Sequence, residues 1–279
     1  MNREIRKTKA QETLKILEKG GYSLNPETAI DFSSELKRSI NKSQLFSPDE
    51  LSDVSHSLEF DKSWDMQTEI VHEDTLSCIL RLKEEGNARI LCLNFASARN
   101  PGGGFLNGSL AQEESLAVST GLYLTQLKHF DFYEYHRNQK TCFYSDRIIY
   151  SPNVPIFRDT NGDLLPAFKL CSLITSAAVN KGVIQHKEMD RLNEVVPTMK
   201  RRIDRILSLA YLKGYDTLIL GAWGCGVFQN DPDDIAALFA ELLNTKFKGR
   251  VKKIVFAIYS RSPRFIQAFK SHLTDNDEK

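Results

Sequence analysis

Residues 89–95 read RILCLNF, and the chain then continues ASARNPGGGFLNGSLAQEE through residue 114. An apolar run that dense is a strand covered on both faces. It ends in Pro101, Gly102, Gly103 and Gly104, with the adjacent carboxylates Glu113 and Glu114 placed where helical periodicity resumes. Consecutive glycines carry a large backbone entropy cost, and neighbouring like charges repel. The same arrangement recurs at residues 217–221, TLILG, which run into AWGCGVFQNDP. Two buried strands, each opening into a glycine-bearing loop, constrain this chain more than any other feature. In a parallel sheet such loops lie outside the carboxyl ends of the strands, where ligands bind. The two loops are therefore expected at one crevice.

The rest of the chain supplies the sheet. From Met66 onward, strand patterns at 68–72, 89–95, 169–176, 217–221 and 251–259 alternate with helical patterns at 74–83, 112–127, 188–213, 232–243 and 263–273. This alternation predicts an α/β fold with a largely parallel sheet and crossover helices. Upstream, Ile5, Thr8, Leu14 and Leu17 set a helical period over residues 3–18, stopped by Gly20 and Gly21. A second helix is expected over 26–38, and 41–65 reads as a polar, irregular surface excursion. Residues 1–64 are thus expected as an N-terminal helical extension packed on a core of residues 65–279, the two forming one structural unit.

Composition narrows the class. With a net charge of +1 over 279 residues, the global balance selects neither nucleic acid nor an anionic membrane surface. No apolar run approaches the ~20 residues a bilayer span needs. The opening MNREIRKTKAQETLKIL lacks an apolar signal core. Cys78, Cys92, Cys142, Cys171 and Cys225 are scattered, with no CxxC pair, as in a reduced cytoplasmic protein. Export by a route needing no signal peptide stays compatible with this. No HExxH or Cys/His cluster suggests a metal, and no cofactor motif is present. Lys200, Arg201, Arg202 and Arg205 read as a solvated helix face, with guidance of an anionic polymer as the alternative.

Backbone N–H groups of Gly102, Gly103 and Gly104, free of Cβ atoms, suit an anion nest beside a helix N-terminus. The loop is neither a Walker A nor a GxGxxG fingerprint. In the second loop, Gly224 and Gly226 permit close backbone approach, and Phe228 offers an aromatic face. Cys225, between two glycines, reads as packing rather than as a nucleophile. Glu113 and Glu114 beside an anion site are candidates for acid/base work.

GGG, seven residues, then QEE resembles the signature of bacterial-type poly(ADP-ribose) glycohydrolases. NFASARNPGGGF, AQEESL, YSPNVPIFRD and GAWGCGVFQNDP resemble segments of that family in the same order. The resemblance implies a macrodomain-like mixed, largely parallel sheet sandwiched by helices. It implies poly(ADP-ribose), or an ADP-ribosylated protein, as substrate, ADP-ribose as product, and no cofactor or metal. It assigns Glu114 as catalytic and Glu113 as its orienting neighbour. Gly102, Gly103 and Gly104, with Phe105 and Gln112, would line the diphosphate and distal ribose. Gly224, Cys225, Gly226, Val227 and Phe228 would form a second phosphate loop, with Phe228 over the distal ribose. Glu73 or Asp74 would meet adenine, and Ser97 and Asn100 a ribose. A usual glycosidase flanks the bond with two carboxylates. Neighbouring helical residues point about 100° apart, so the scheme that the resemblance implies, one glutamate acting first as acid and then as base, fits the layout better. A non-catalytic ADP-ribose reader and a hydrolase of mono-ADP-ribosyl esters are the alternatives.

Overall fold

The computed structural model describes residues 2–61 and 63–274. Along the chain run α1 (Arg3–Lys19), β1 (Gly21–Asn25), β2 (Thr28–Asp31), α2 (Ser33–Lys42), β3 (Gln44–Phe46) and α3 (Pro48–Ser57). Then come β4 (Gln67–Val71), α4 (Thr75–Glu84), β5 (Ile90–Phe95), α5 (Gln112–Ser119), α6 (Leu122–Lys128) and α7 (Phe130–Asn138). The series closes with β6 (Ile148–Arg158), β7 (Leu164–Ser176), α8 (Lys181–Lys187), α9 (Val195–Leu212), β8 (Thr217–Leu220), α10 (Pro232–Asn244), β9 (Lys253–Ala257) and α11 (Pro263–Leu273).

A seven-stranded sheet has the order β3-β6-β7-β5-β8-β9-β4. Strands β7, β5, β8, β9 and β4 are parallel, β6 runs against β7, and β3 runs against β6. The carboxyl ends of the parallel strands therefore share one edge with the amino end of β6. Alternate residues of β5 serve opposite faces. Leu91 and Leu93 join Met199, Ile203 and Ile206 of α9 and Phe239 of α10. Ile90 and Cys92 join Leu76, Ile79 and Leu82 of α4 and Leu116 of α5. This is the helix-covered, largely parallel sheet that the alternation predicted. No described helix is long and apolar enough to cross a membrane.

Several expectations are corrected. Residues 26–38 are not one helix. Asn25 Oδ1 accepts the Glu27 N–H at 3.0 Å, closing a turn around Pro26 that pairs β1 with β2. The helix begins only at Ser33, whose N–H is taken by Asp31 Oδ1 at 2.8 Å. The stretch 41–65 is not wholly irregular, since Ser47 and Glu50 form a capping box that starts α3. Residues 44–46 form β3, which pairs with β6, so the N-terminal segment adds a strand to the main sheet.

Helix 112–127 is broken in two. Thr120 Oγ1 turns back to the Leu116 carbonyl at 2.8 Å, and the Gly121 N–H goes to Pro155 O at 2.9 Å. A Cβ on Gly121 would sit 2.7 Å from Leu36 Cδ1, so α2 packs closely over the break. Strand β6 was not expected at all, because Pro152 and Pro155 argue against a central strand. It accommodates them with a bulge between Ser151 and Val154, where Asn153 takes a φ of 47°. The long helix starts at Val195 rather than 188, after a 3-10 turn at Met189–Glu194. Its basic stretch is not a plain solvated face. Arg202 is 2% exposed, and Arg201, Arg202 and Arg205 all converge on Asp146.

Candidate active site

The loop after β5 and the loop after β8 meet at the end of β7, where the Ser176 carbonyl accepts both the Ala96 N–H at 3.2 Å and Trp223 Nε1–H at 3.2 Å. The two loops expected at one edge of the sheet thus meet there.

Within the first loop, the donors of the glycine triplet are spent inside the protein. Gly102 N–H goes to Gln126 Oε1 at 2.8 Å, Gly103 N–H to Asn100 O at 3.0 Å, and Gly104 N–H to Glu114 Oε1 at 2.9 Å. The expected anion nest does not form there. What the triplet provides is room. At Gly103, with φ of +61°, a Cβ would lie 2.5 Å from Glu114 Oε1 and 3.2 Å from Glu113 Oε2. The missing side chain is the space that the carboxylates occupy.

Glu113 is 3% exposed. It accepts from Ser97 N–H at 2.7 Å, Gln126 Nε2 at 2.9 Å and Asn94 Nδ2 at 3.0 Å. Burial pushes its carboxyl up to about 8, and the Glu114 charge adds to this, while the three donors pull the other way. Glu114 is half-buried, so a buried and a reachable carboxyl stand side by side. Gln126 went unnoticed in the sequence, where LTQLK reads as an ordinary helix turn. The break at Gly121 turns α6 so that this fully buried amide joins the glycine loop to Glu113.

The other expected residues divide. Gln112 ties α5 to the end of β5, with Oε1 on the Phe95 N–H at 2.9 Å and Nε2 on the Leu93 carbonyl at 2.8 Å. Phe105 does not line the site. It is 2% exposed, edge-on to Tyr123 at 4.9 Å and packed with Ala10 and Ala117, so it anchors the loop from inside. Ser97 Oγ caps the turn by accepting from the Arg99 and Asn100 N–H groups at 3.3 and 3.1 Å. Asn100 is exposed at the rim. The loop's tail is clamped by α1, where Arg3 Nε reaches Asn107 O at 2.9 Å and Arg6 Nε reaches Gly108 O at 2.7 Å, and Thr13 Oγ1 reaches Val118 O of α5 at 2.5 Å.

In the second loop, the N–H groups of Gly226, Val227 and Phe228 have no protein acceptor among the described residues. Val227 is 85% exposed, and a Cβ on Gly226 would meet nothing within 4 Å. The open nest therefore lies here. Cys225 is turned inward, with its thiol raised by burial, so only its backbone faces the loop. Phe228 is half-buried, its ring 6.0 Å from that of Tyr144. At the β4 end of the edge, Glu73 is held by Arg81, and Asp74 caps α4 through Ser77. Beside them, after β9, Tyr259 is 77% exposed and stacked on His72 at 5.9 Å. It is a further aromatic face, signalled in the sequence only as the last residue of an apolar run.

A helix-covered parallel sheet with an open nest and an acidic pair at one crevice defines a macrodomain-like α/β protein. The family model described as the catalytic domain of microbial-type PARG matches residues 10–159. The chain belongs to that family, the microbial-type poly(ADP-ribose) glycohydrolases. It is similar to the Thermomonospora curvata poly(ADP-ribose) glycohydrolase at 36% identity, covering 97% of this chain and 100% of that one, with a TM-score of 0.90. The same enzyme solved with the inhibitor ADP-HPD gives 36%, 96% and 99% coverage, and 0.89. The Deinococcus radiodurans glycohydrolase in complex with ADP-ribose is 37% identical, covers 86% of this chain and 98% of its own, and has a TM-score of 0.82. Comparison with curated proteins found no match.

Proposed function

We propose that this chain hydrolyses the ribose–ribose O-glycosidic bonds of poly(ADP-ribose) and releases ADP-ribose, with Glu114 as general acid and then general base. The observation that carries the assignment is Glu114 itself. Its Oε1 is fixed by the Gly104 N–H in the space that Gly103 leaves open, and its side chain is half-buried where that of Glu113 is enclosed.

The diphosphate sits on the N–H groups of Gly226, Val227 and Phe228, and adenine lies toward Asp74 and the exposed ring of Tyr259. Ser97, Asn100 and Phe228 border the distal ribose. Glu114 gives its proton to the departing ribose oxygen, which keeps the electron pair of the broken C–O bond. The oxocarbenium-like ribose is stabilised by the nearby diphosphate charge. Water adds to the anomeric carbon and returns a proton to Glu114, which restores the acid. Glu113 is a positioning residue. Its carboxyl, held up near 8, is largely neutral at pH 7, so the charge forming on Glu114 meets little repulsion. Gln112 and Gln126 hold the helix start and the glycine loop around the pair.

Protein-linked polymer is the natural partner, and five free cysteines support an intracellular, cytoplasmic setting. The test compares ADP-ribose release from purified poly(ADP-ribose) by wild type and Glu114→Gln, with calorimetric ADP-ribose binding by both. Release should fall by at least about 10²-fold, the low end for general acid–base catalysis, with binding kept. Undiminished release by Glu114→Gln would remove Glu114 from this role, and binding without release by wild type would point to a reader.

A further inference from the structure

We propose that Tyr144 is a positioning residue of this site, which fixes the ring of Phe228 against the distal ribose. The proposal rests on the glycohydrolase reading for the identity of that ribose. Its starting point is backbone strain. Among the described residues, the non-glycine positions with a positive φ are Tyr144 at 58°, Asn153 at 47° and Gln229 at 56°. Asn153 belongs to the bulge of β6. The other two converge on Phe228. Gln229 follows it in the chain, and the Tyr144 ring neighbours its own, with centroids 6.0 Å apart and planes at 42°. That spacing is within the range of paired aromatic rings. Strain of this kind persists only where the surroundings over-determine the conformation, and it collects at ligand sites.

The surroundings of Tyr144 meet that condition. It lies in the segment between α7 and β6, which joins the sheet at the amino end of β6, on the same edge as the two loops. On one side of it, Glu188 accepts Thr141 Oγ1–H at 2.6 Å and the Cys142 N–H at 3.1 Å, and the Cys142 carbonyl accepts the Asn180 N–H at 3.0 Å. The Phe143 carbonyl accepts from Arg202 Nη2 at 2.6 Å. On the other side, the Ser145 N–H goes to His136 Nε2 at 3.1 Å, and Asp146 is held by Arg201, Arg202 and Arg205. The basic stretch of α9 is therefore a brace for this turn. The Tyr144 ring packs against the cluster that holds Ala98 of the first loop and Ala177 beyond β7. The backbone at Phe228 is tied as well, with its carbonyl on the Gly182 N–H at 3.0 Å and the Gln229 N–H on the Gly226 carbonyl at 3.0 Å. Both rings are half-buried, so neither is lost in the core. A flat face fixed in advance removes the C–H surface of a furanose from water without a further ordering cost.

The experiment measures calorimetric affinity for two probes, ADP-ribose and ADP, of which only the first has the distal ribose. Tyr144→Leu keeps the bulk and loses the flat face. It should weaken ADP-ribose about tenfold, or ~1.4 kcal/mol, and leave ADP within about threefold. Tyr144→Asn guards against misfolding, because asparagine tolerates the left-handed region, and it should give the same split. Tyr144→Phe keeps the ring and should bring ADP-ribose affinity back to within about threefold of wild type. Phe228→Leu should cause the same selective loss, and Tyr144→Leu combined with Phe228→Leu should cost little more than either alone, as for two side chains that act as one unit. Equal losses for ADP-ribose and ADP, no loss at all, losses that add, or a Tyr144→Phe as weak as Tyr144→Leu would each overturn the proposal. A wild-type protein that binds ADP-ribose and cleaves no polymer would sink the glycohydrolase reading instead, while the ratio of the two affinities would still decide the role of Tyr144.

Discussion

Replacing Gly103 with alanine adds one methyl group at the point where the site is tightest. Two costs follow. The residue sits at φ +61°, in the left-handed region, which costs an L-residue about 1–2 kcal/mol. Its Cβ would also lie 2.5 Å from Glu114 Oε1. Glu113 cannot yield, since three donors fix its carboxyl. Glu114 must therefore turn away and lose the Gly104 N–H, a charge-assisted bond worth about 1.5–3 kcal/mol. Gly86 supplies the control, because at φ +86° it carries backbone strain while a Cβ there would meet nothing within 4 Å. Gly86→Ala should cost only the strain in denaturant unfolding and leave turnover unchanged. Gly103→Ala should cost a further ~1 kcal/mol or more in stability. Its kcat/KM for ADP-ribose release should fall at least about 10²-fold, as expected when a catalytic group moves by ~1 Å. A Gly103→Ala enzyme within threefold of wild type would show that the missing Cβ does not set the position of Glu114, and the reading of the glycine triplet would fail.

Further outcomes concern the groups around this point. Glu113 has a folded value of about 8 against an ordinary 4.5, so between those pH values the unfolded chain binds fewer protons than the folded one. Stability should therefore fall as pH rises across that window, by up to ~1.4 kcal/mol per unit. Glu113→Gln should flatten the slope in unfolding experiments from pH 5 to 8, and an unchanged slope would refute the assignment. Gln126→Met removes both ends of the brace and leaves the buried Gly102 N–H without an acceptor, costing about 1–3 kcal/mol. Its kcat should drop about tenfold or more while calorimetric ADP-ribose affinity changes little, and a loss confined to KM would argue against a positioning role.

The central strands were legible because both their faces are buried, so RILCLNF and TLILG read as continuous apolar runs whichever helix covers them. The crevice followed from topology, since loops after parallel strands share an edge. Strand β6 was hidden by prolines that a bulge absorbs, and the hairpin at 21–31 by a turn closed through the side chain of Asn25. The N–H groups of the glycine triplet, expected to form an anion nest, are spent inside the protein instead. Whether its N–H groups are open depends on Gln126, twenty-four residues away from Gly102, whose arrival depends on the break at Gly121. Hydrogen-bond partners at that distance leave no periodicity to read. Phe105 and Gln112 were expected to line the site, yet one faces the interior and the other the sheet.

The clamp of α1 on the glycine loop has a consequence in time. Its contacts at Arg3, Arg6 and Thr13 join positions 104, 102 and 105 residues apart. Contacts that distant form late, because chain closure must be completed before they contribute. More than a hundred residues thus separate α1 from the segments that it supports. During refolding, helical signal should return well ahead of hydrolysis, because α1 and the segment behind the glycine triplet must first meet across that span.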